Sequence, residues 1–187
     1  MKKTIFLAAM MCLLAVGVFA QAKTDFSGSW TLDKGKSKLG ERNRIESRTI
    51  KATQTATDLT VETTTKREAP PEGAGGGQGG GNRPGGGGGR GMMGGGDGTT
   101  VYKLDGKEAT TEVEGPMGKM PVKTTASLGS SALEVSTVRT FNTQMGEMTL
   151  TTKEKWTLSD GGKTLTVVST STTPRGEQTT EMVYTKN

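Results

Sequence analysis

Over residues 26–32 the side chains alternate with a period of two. Phe26, Gly28, Trp30 and Leu32 share one face, and Ser27, Ser29 and Thr31 share the other. A period of two predicts a strand with one buried face. A polar loop over residues 33–44 follows. Residues 45–54 and 59–66 then predict a hairpin around Ala56-Thr57-Asp58. The pattern resumes at 99–104 and 108–113, with Asp105-Gly106 between them as a favoured hairpin turn. Strands are predicted at 119–128, 132–141, 148–158, 163–172 and 178–186, each separated from the next by a short turn containing Gly, Ser, Asn, Asp or Pro. Leu133, Val135, Thr137 and Phe141 share a face, as do Met148, Leu150, Trp156 and Leu158. No segment has helical periodicity. Short strands at even spacing in meander order predict an all-β, antiparallel up-and-down barrel of about 8–10 strands.

Two segments break this pattern. Lys2 and Lys3 precede an apolar run over 5–18, and small residues follow it at Ala20 and Ala22. That order predicts a signal peptide over 1–22, cleaved after Ala20 or Ala22, and hence export to the periplasm or the extracellular space. The run is short for a membrane span and lacks a charged stop-transfer flank, so no membrane span is expected after cleavage. The other segment is glycine-rich, over 70–98. It has almost nothing to bury, so it is expected to be a disordered insertion between the third and fourth strands. Such an insertion costs little closure entropy. A single barrel domain over 23–187 is therefore expected, with roughly 135 residues outside the glycine tract.

Composition narrows the chemistry. The chain has no histidine, and its one cysteine, Cys12, lies inside the apolar leader. Histidine- or cysteine-ligated zinc, the Ser-His-Asp triad and the Cys-His dyad are excluded from the mature chain. No metal or other cofactor is expected. Cleavage removes Lys2 and Lys3 and no acid, which lowers the net charge from +5 to +3. No basic stripe accompanies that charge, so no nucleic-acid partner is expected. The glycine tract lacks a Gly-Lys-Ser/Thr ending and is not a phosphate loop. About one residue in six is threonine, which suits pleated, half-buried strands. The faces opposite the apolar ones carry Thr149, Thr151, Lys153 and Lys155, unlike the apolar exterior of a membrane barrel. A monomer is the expected state.

Phe26-x-Gly28-x-Trp30-x-Leu32 resembles the Gly-x-Trp first strand of lipocalins and fatty-acid-binding proteins. The mature chain as a whole resembles the small secreted lipocalin-like proteins of bacteria. The likeness runs through Ser37-Lys38-Leu39, Tyr102-Lys103-Leu104-Asp105-Gly106-Lys107, Trp156-Thr157-Leu158-Ser159-Asp160-Gly161 and Val183-Tyr184-Thr185-Lys186. It implies a closed calycin-type barrel, often with an interior cavity. It departs from fatty-acid-binding proteins at the last strand. Their Arg-x-Tyr pair, which binds the lipid carboxylate, is here Met182 and Tyr184.

Six residues are candidate ligand contacts: Trp30, Tyr102, Arg139, Glu154, Trp156 and Tyr184. The tryptophans lie on apolar faces, where core packing competes with ligand contact. Arg139 keeps register with Val135 and Phe141, and Glu154 keeps register with Leu150 and Trp156. Unbroken strands would point both charges inward, to pair with each other or to line a wet cavity with Tyr184. A bulge would return either to solvent. Glu154 has no acidic neighbour for paired-carboxylate catalysis, so no enzyme is expected. The function expected is binding of a small apolar or amphipathic ligand inside the barrel. The competing reading is an envelope interaction or structural protein that acts through its surface or its glycine-rich loop.

Overall fold

The computed structural model describes residues 24–40, 43–68, 97–115, 118–143, 146–173 and 176–187. The leader and residues 70–96 of the glycine tract lie outside the described residues. Ten strands follow one another: β1 (Gly28–Leu32), β2 (Ile45–Gln54), β3 (Asp58–Arg67), β4 (Gly98–Lys103), β5 (Asp105–Gly115), β6 (Gly118–Leu128), β7 (Ala132–Thr143), β8 (Gly146–Ser159), β9 (Thr164–Thr173) and β10 (Gly176–Lys186). They form one antiparallel sheet in the order β4-β3-β2-β1-β10-β9-β8-β7-β6-β5. Every neighbouring pair is a sequential meander except β1 with β10, which closes the sheet into an up-and-down barrel. Closure is incomplete, because β4 and β5 are the two ends of the sheet and do not pair.

Strand alternation and barrel closure together decide what is buried. Burial alternates along β9, where Leu165, Val167 and Ser169 turn inward. The same register brings Trp156 opposite Val167, and Leu133 opposite Trp156. One end of the barrel is dry. Phe26, Trp30, Leu59, Leu133 and Leu165 are all fully buried there. The segment before β1 crosses this end as a floor. Thr24 Oγ1 donates to the Ser130 carbonyl at 2.8 Å on one side, and the Gln54 amide holds the Thr24 carbonyl and the Phe26 N–H on the other. The Phe26 ring meets Trp156 edge-on, with centroids 6.2 Å apart. Trp30 donates its indole N–H to the Phe26 carbonyl at 3.0 Å, so burying the ring leaves no donor unmet.

Gly28 is required at its place. Its φ is +145°, and a Cβ there would lie 2.5 Å from Lys186 Cε. The lysine needs that space because its ammonium sits 5.1 Å from the centre of the Trp30 ring, a favourable cation–π distance.

Two features differ from the pattern along the sequence. Asp105-Gly106 does not join a hairpin. Gly106 takes φ +73°, and the register against β6 shifts between Asp105 and Glu108. The chain turns a corner there, bulges and pairs forward with β6, leaving β4 behind. Second, β1 is only five residues long. Loop residues extend the seam beyond it: Asp33 N donates to the Val183 carbonyl at 2.8 Å, and Lys38 exchanges main-chain bonds with Glu181.

The floor sets a stability prediction. Phe26→Ala is expected to lower the unfolding free energy by about 3–5 kcal/mol, measured by guanidinium denaturation. A loss well below that range would mean that Phe26 does not close the dry end.

Candidate functional site: a polar cavity above an aromatic floor

Above the floor the inward residues become smaller and more polar. Thr63, Thr100, Thr111, Thr124, Thr137 and Thr152 stand on six successive strands, β3 to β8, around a cavity of about 450 Å³. Thr152 is buried, and its hydroxyl lies 3.4 Å from that of Ser171. Ile50, Val61, Val122 and Val167 contribute the apolar part of the lining. A cavity of this size falls in the range that holds small molecules.

Arg139 and Glu154 both line it. The β7–β8 register is unbroken from Ala132 to Thr143, so no bulge turns either side chain outward. They do not form an ion pair. Arg139 stands opposite Leu150, and Glu154 stands opposite Val135, four residues along the strand. That offset is about 13 Å of strand rise. Glu154 Oε2 instead accepts the indole N–H of Trp156 at 3.0 Å, its same-face neighbour two residues on. One Arg139 guanidinium nitrogen, Nη1, is buried without a hydrogen-bond partner among the described residues.

A third charge was not singled out from the pattern along the chain. Arg48 of β2 is buried, at 8% exposure, and lines the same cavity. Its Nη1 donates to Met182 Sδ at 3.5 Å, while its Nε has no partner among the described residues. The Tyr184 hydroxyl also donates to that sulfur, at 3.3 Å. A register shift between Ile45 and Ser47 explains why Arg48 was hidden. Counting forward by twos from Ile45 puts Arg48 outside, whereas counting back from Ala52 and Ile50 puts it inside. β2 and β7 lie five strands apart in the sheet, so the two arginines face each other across the barrel.

The remaining candidates divide. Tyr102, Trp156 and Tyr184 line the cavity with Arg139 and Glu154, whereas Trp30 does not. Trp30 lies below, locked into the floor by Phe26. Trp156 belongs to both levels, since its ring packs on Phe26 and on Tyr102, and its N–H reaches up to Glu154. Burial raises the pKa of both tyrosines, because a phenolate loses its hydration there. Glu154 raises Tyr102 further, against the opposing pull of Arg139 and Arg48. Tyr184 is pushed up to about 12, with Arg48 opposing the shift. Both phenols are therefore neutral hydrogen-bonding groups at neutral pH. No cluster of acidic groups able to hold a metal ion occurs among the described residues.

No family model matches the chain, and neither does any curated protein. Among solved structures the chain is similar to zebrafish ileal bile acid-binding protein in complex with cholic acid. The two share 15% identity over 87% of this chain and 98% of that one, with a TM-score of 0.45. That degree of likeness assigns neither a ligand nor a role to this chain.

Burial of the phenols makes a pH prediction. The folded state holds the Tyr184 proton up to about pH 12, whereas an ordinary tyrosine releases it near 10. The unfolded state thus binds fewer protons in that window, and stability falls as pH rises from 10 towards 12. Ultraviolet titration of the folded protein is expected to show little phenolate at pH 10. A half-ionised tyrosine there would mean that the cavity walls do not shield these side chains.

Proposed function

We propose that this protein is an exported carrier that holds one small amphipathic acid inside its barrel. The observation that carries the reading is the pair Arg48 and Arg139. Each presents a buried guanidinium nitrogen without a partner among the described residues, and both face one cavity from opposite walls. A buried cation with unmet donors is costly. A carboxylate or similar anion between the two arginines supplies the missing acceptors. The apolar part of the ligand then lies against Ile50, Val61, Val122 and Val167. Glu154 adds a negative charge to the same space, which favours one acidic group per ligand over two. The expectation of export rests on the leader sequence over 1–22.

Calorimetric titration with octanoate, octanol and octylammonium tests the reading. Octanoate is expected to bind best, with octylammonium weaker by about tenfold or more. Arg48→Met and Arg139→Met are each expected to weaken octanoate by about tenfold or more. Octylammonium binding as tightly as octanoate would overturn the preference for an acid. Failure of all three to bind would overturn the carrier itself.

A further inference from the structure

The cavity has a side opening, visible in which residues line it. On a β-strand, successive side chains point to opposite faces, so a cavity inside a barrel meets every second residue. That holds on most of the wall: Arg48 and Ile50 on β2, Val61 and Thr63 on β3, and Thr137 and Arg139 on β7. It fails on two strands. Residues 99–102 of β4 and 111–113 of β5 all line the cavity, without a skip. A run of consecutive residues lines one space only where that space passes around the edge of the strand. These are the two strands that do not pair with each other. They leave a common corner at Leu104 and Asp105, and beyond it the cavity runs out between them.

The rims of this slot are apolar where they meet water. Three large hydrophobic residues are exposed among the described residues, and two of them are Val101 and Val113, one on each rim. Val138 and Val168 also face outward, but both are partly covered. Val113 shares the cavity-facing side of β5 with Thr111, and Val101 lies on the outer side of β4 beside Thr60, so the two valines offer a hydrocarbon chain apolar surface at successive levels of the slot. Glu112, also on the rim, pairs with Lys119 at 3.5 Å. Its carboxylate disfavours a second acidic group at that point.

We infer that the slot between β4 and β5 receives the apolar tail of the ligand, which passes between residues 99–102 of β4 and residues 111–113 of β5 and extends to solvent. The inference rests on the carrier reading, since it needs the acidic head seated at Arg48 and Arg139. It narrows the ligand class to an elongated monoacid, longer than the enclosed space and tolerant of bulk at its far end. A carrier whose cavity is sealed around its ligand would reject such bulk.

The experiment compares octanoate with undecanoate bearing a dansyl group at its far end. Both are titrated calorimetrically into the protein and into the Val101→Trp and Val113→Trp variants. The dansyl acid is expected to bind within roughly threefold of octanoate. Each tryptophan narrows the slot and is expected to weaken the dansyl acid by roughly tenfold or more, with octanoate unchanged within roughly threefold. Thermal melts check that both variants fold. Val101 is exposed, so its variant is expected to fold even if the other does not. If octanoate binds and the dansyl acid does not, the slot is no passage and the carrier reading stands. The same holds if the Trp variants weaken both acids alike or neither. If octanoate itself does not bind, the carrier reading falls and takes the slot with it.

Discussion

Ten strands around one axis enclose more room than this chain has large side chains to fill. Aromatic residues are scarce, with two tryptophans, two tyrosines and four phenylalanines in the whole sequence. The fold spends most of its aromatic volume at one end. Phe26, Trp30 and Trp156 pack there with Tyr102 and the leucines of the surrounding strands. Above it the lining is mostly threonine and valine, with the long side chains of Arg48, Arg139 and Tyr184 among them. The cavity follows from this uneven allocation of volume.

The same allocation makes the inward charges tolerable. Arg48, Arg139 and Glu154 stand where the lining is already polar, so water and hydroxyls moderate a cost that a dry core would impose in full. Trp156 joins the two regimes. Its ring belongs to the floor, and its N–H fixes one oxygen of Glu154. Arg139 does not pair with that carboxylate because the two stand four residues apart along the strands.

Much of this was legible in the sequence, because period-two alternation is local. The strands of the observed meander were predicted within a few residues of their bounds, whereas the sequence left open whether Arg139 and Glu154 face inward, because a single bulge would have turned either out. Non-local features were not. Arg48 was concealed by a bulge one turn of the pleat away. Asp105-Gly106 has the composition of a hairpin turn, yet the strands after it diverge, and only the closed sheet reveals which neighbour β5 chose. Trp30 and Trp156 look alike along the chain. Their separation into floor and cavity depends on where residues 24–26 cross the barrel, which no local pattern encodes.

The seam between β1 and β10 carries a consequence for folding. Among the described residues β1 is the first strand and β10 the last, and each is the other's partner. The meander from β5 to β9 consists of local pairings that form as each hairpin emerges. The barrel, however, cannot close until β10 is available. Until then two open sheets persist, each with apolar inner faces and unpaired edges. The step that closes them has high contact order and is expected to be the slow one. This architecture couples the appearance of a finished interior to the completion of the chain.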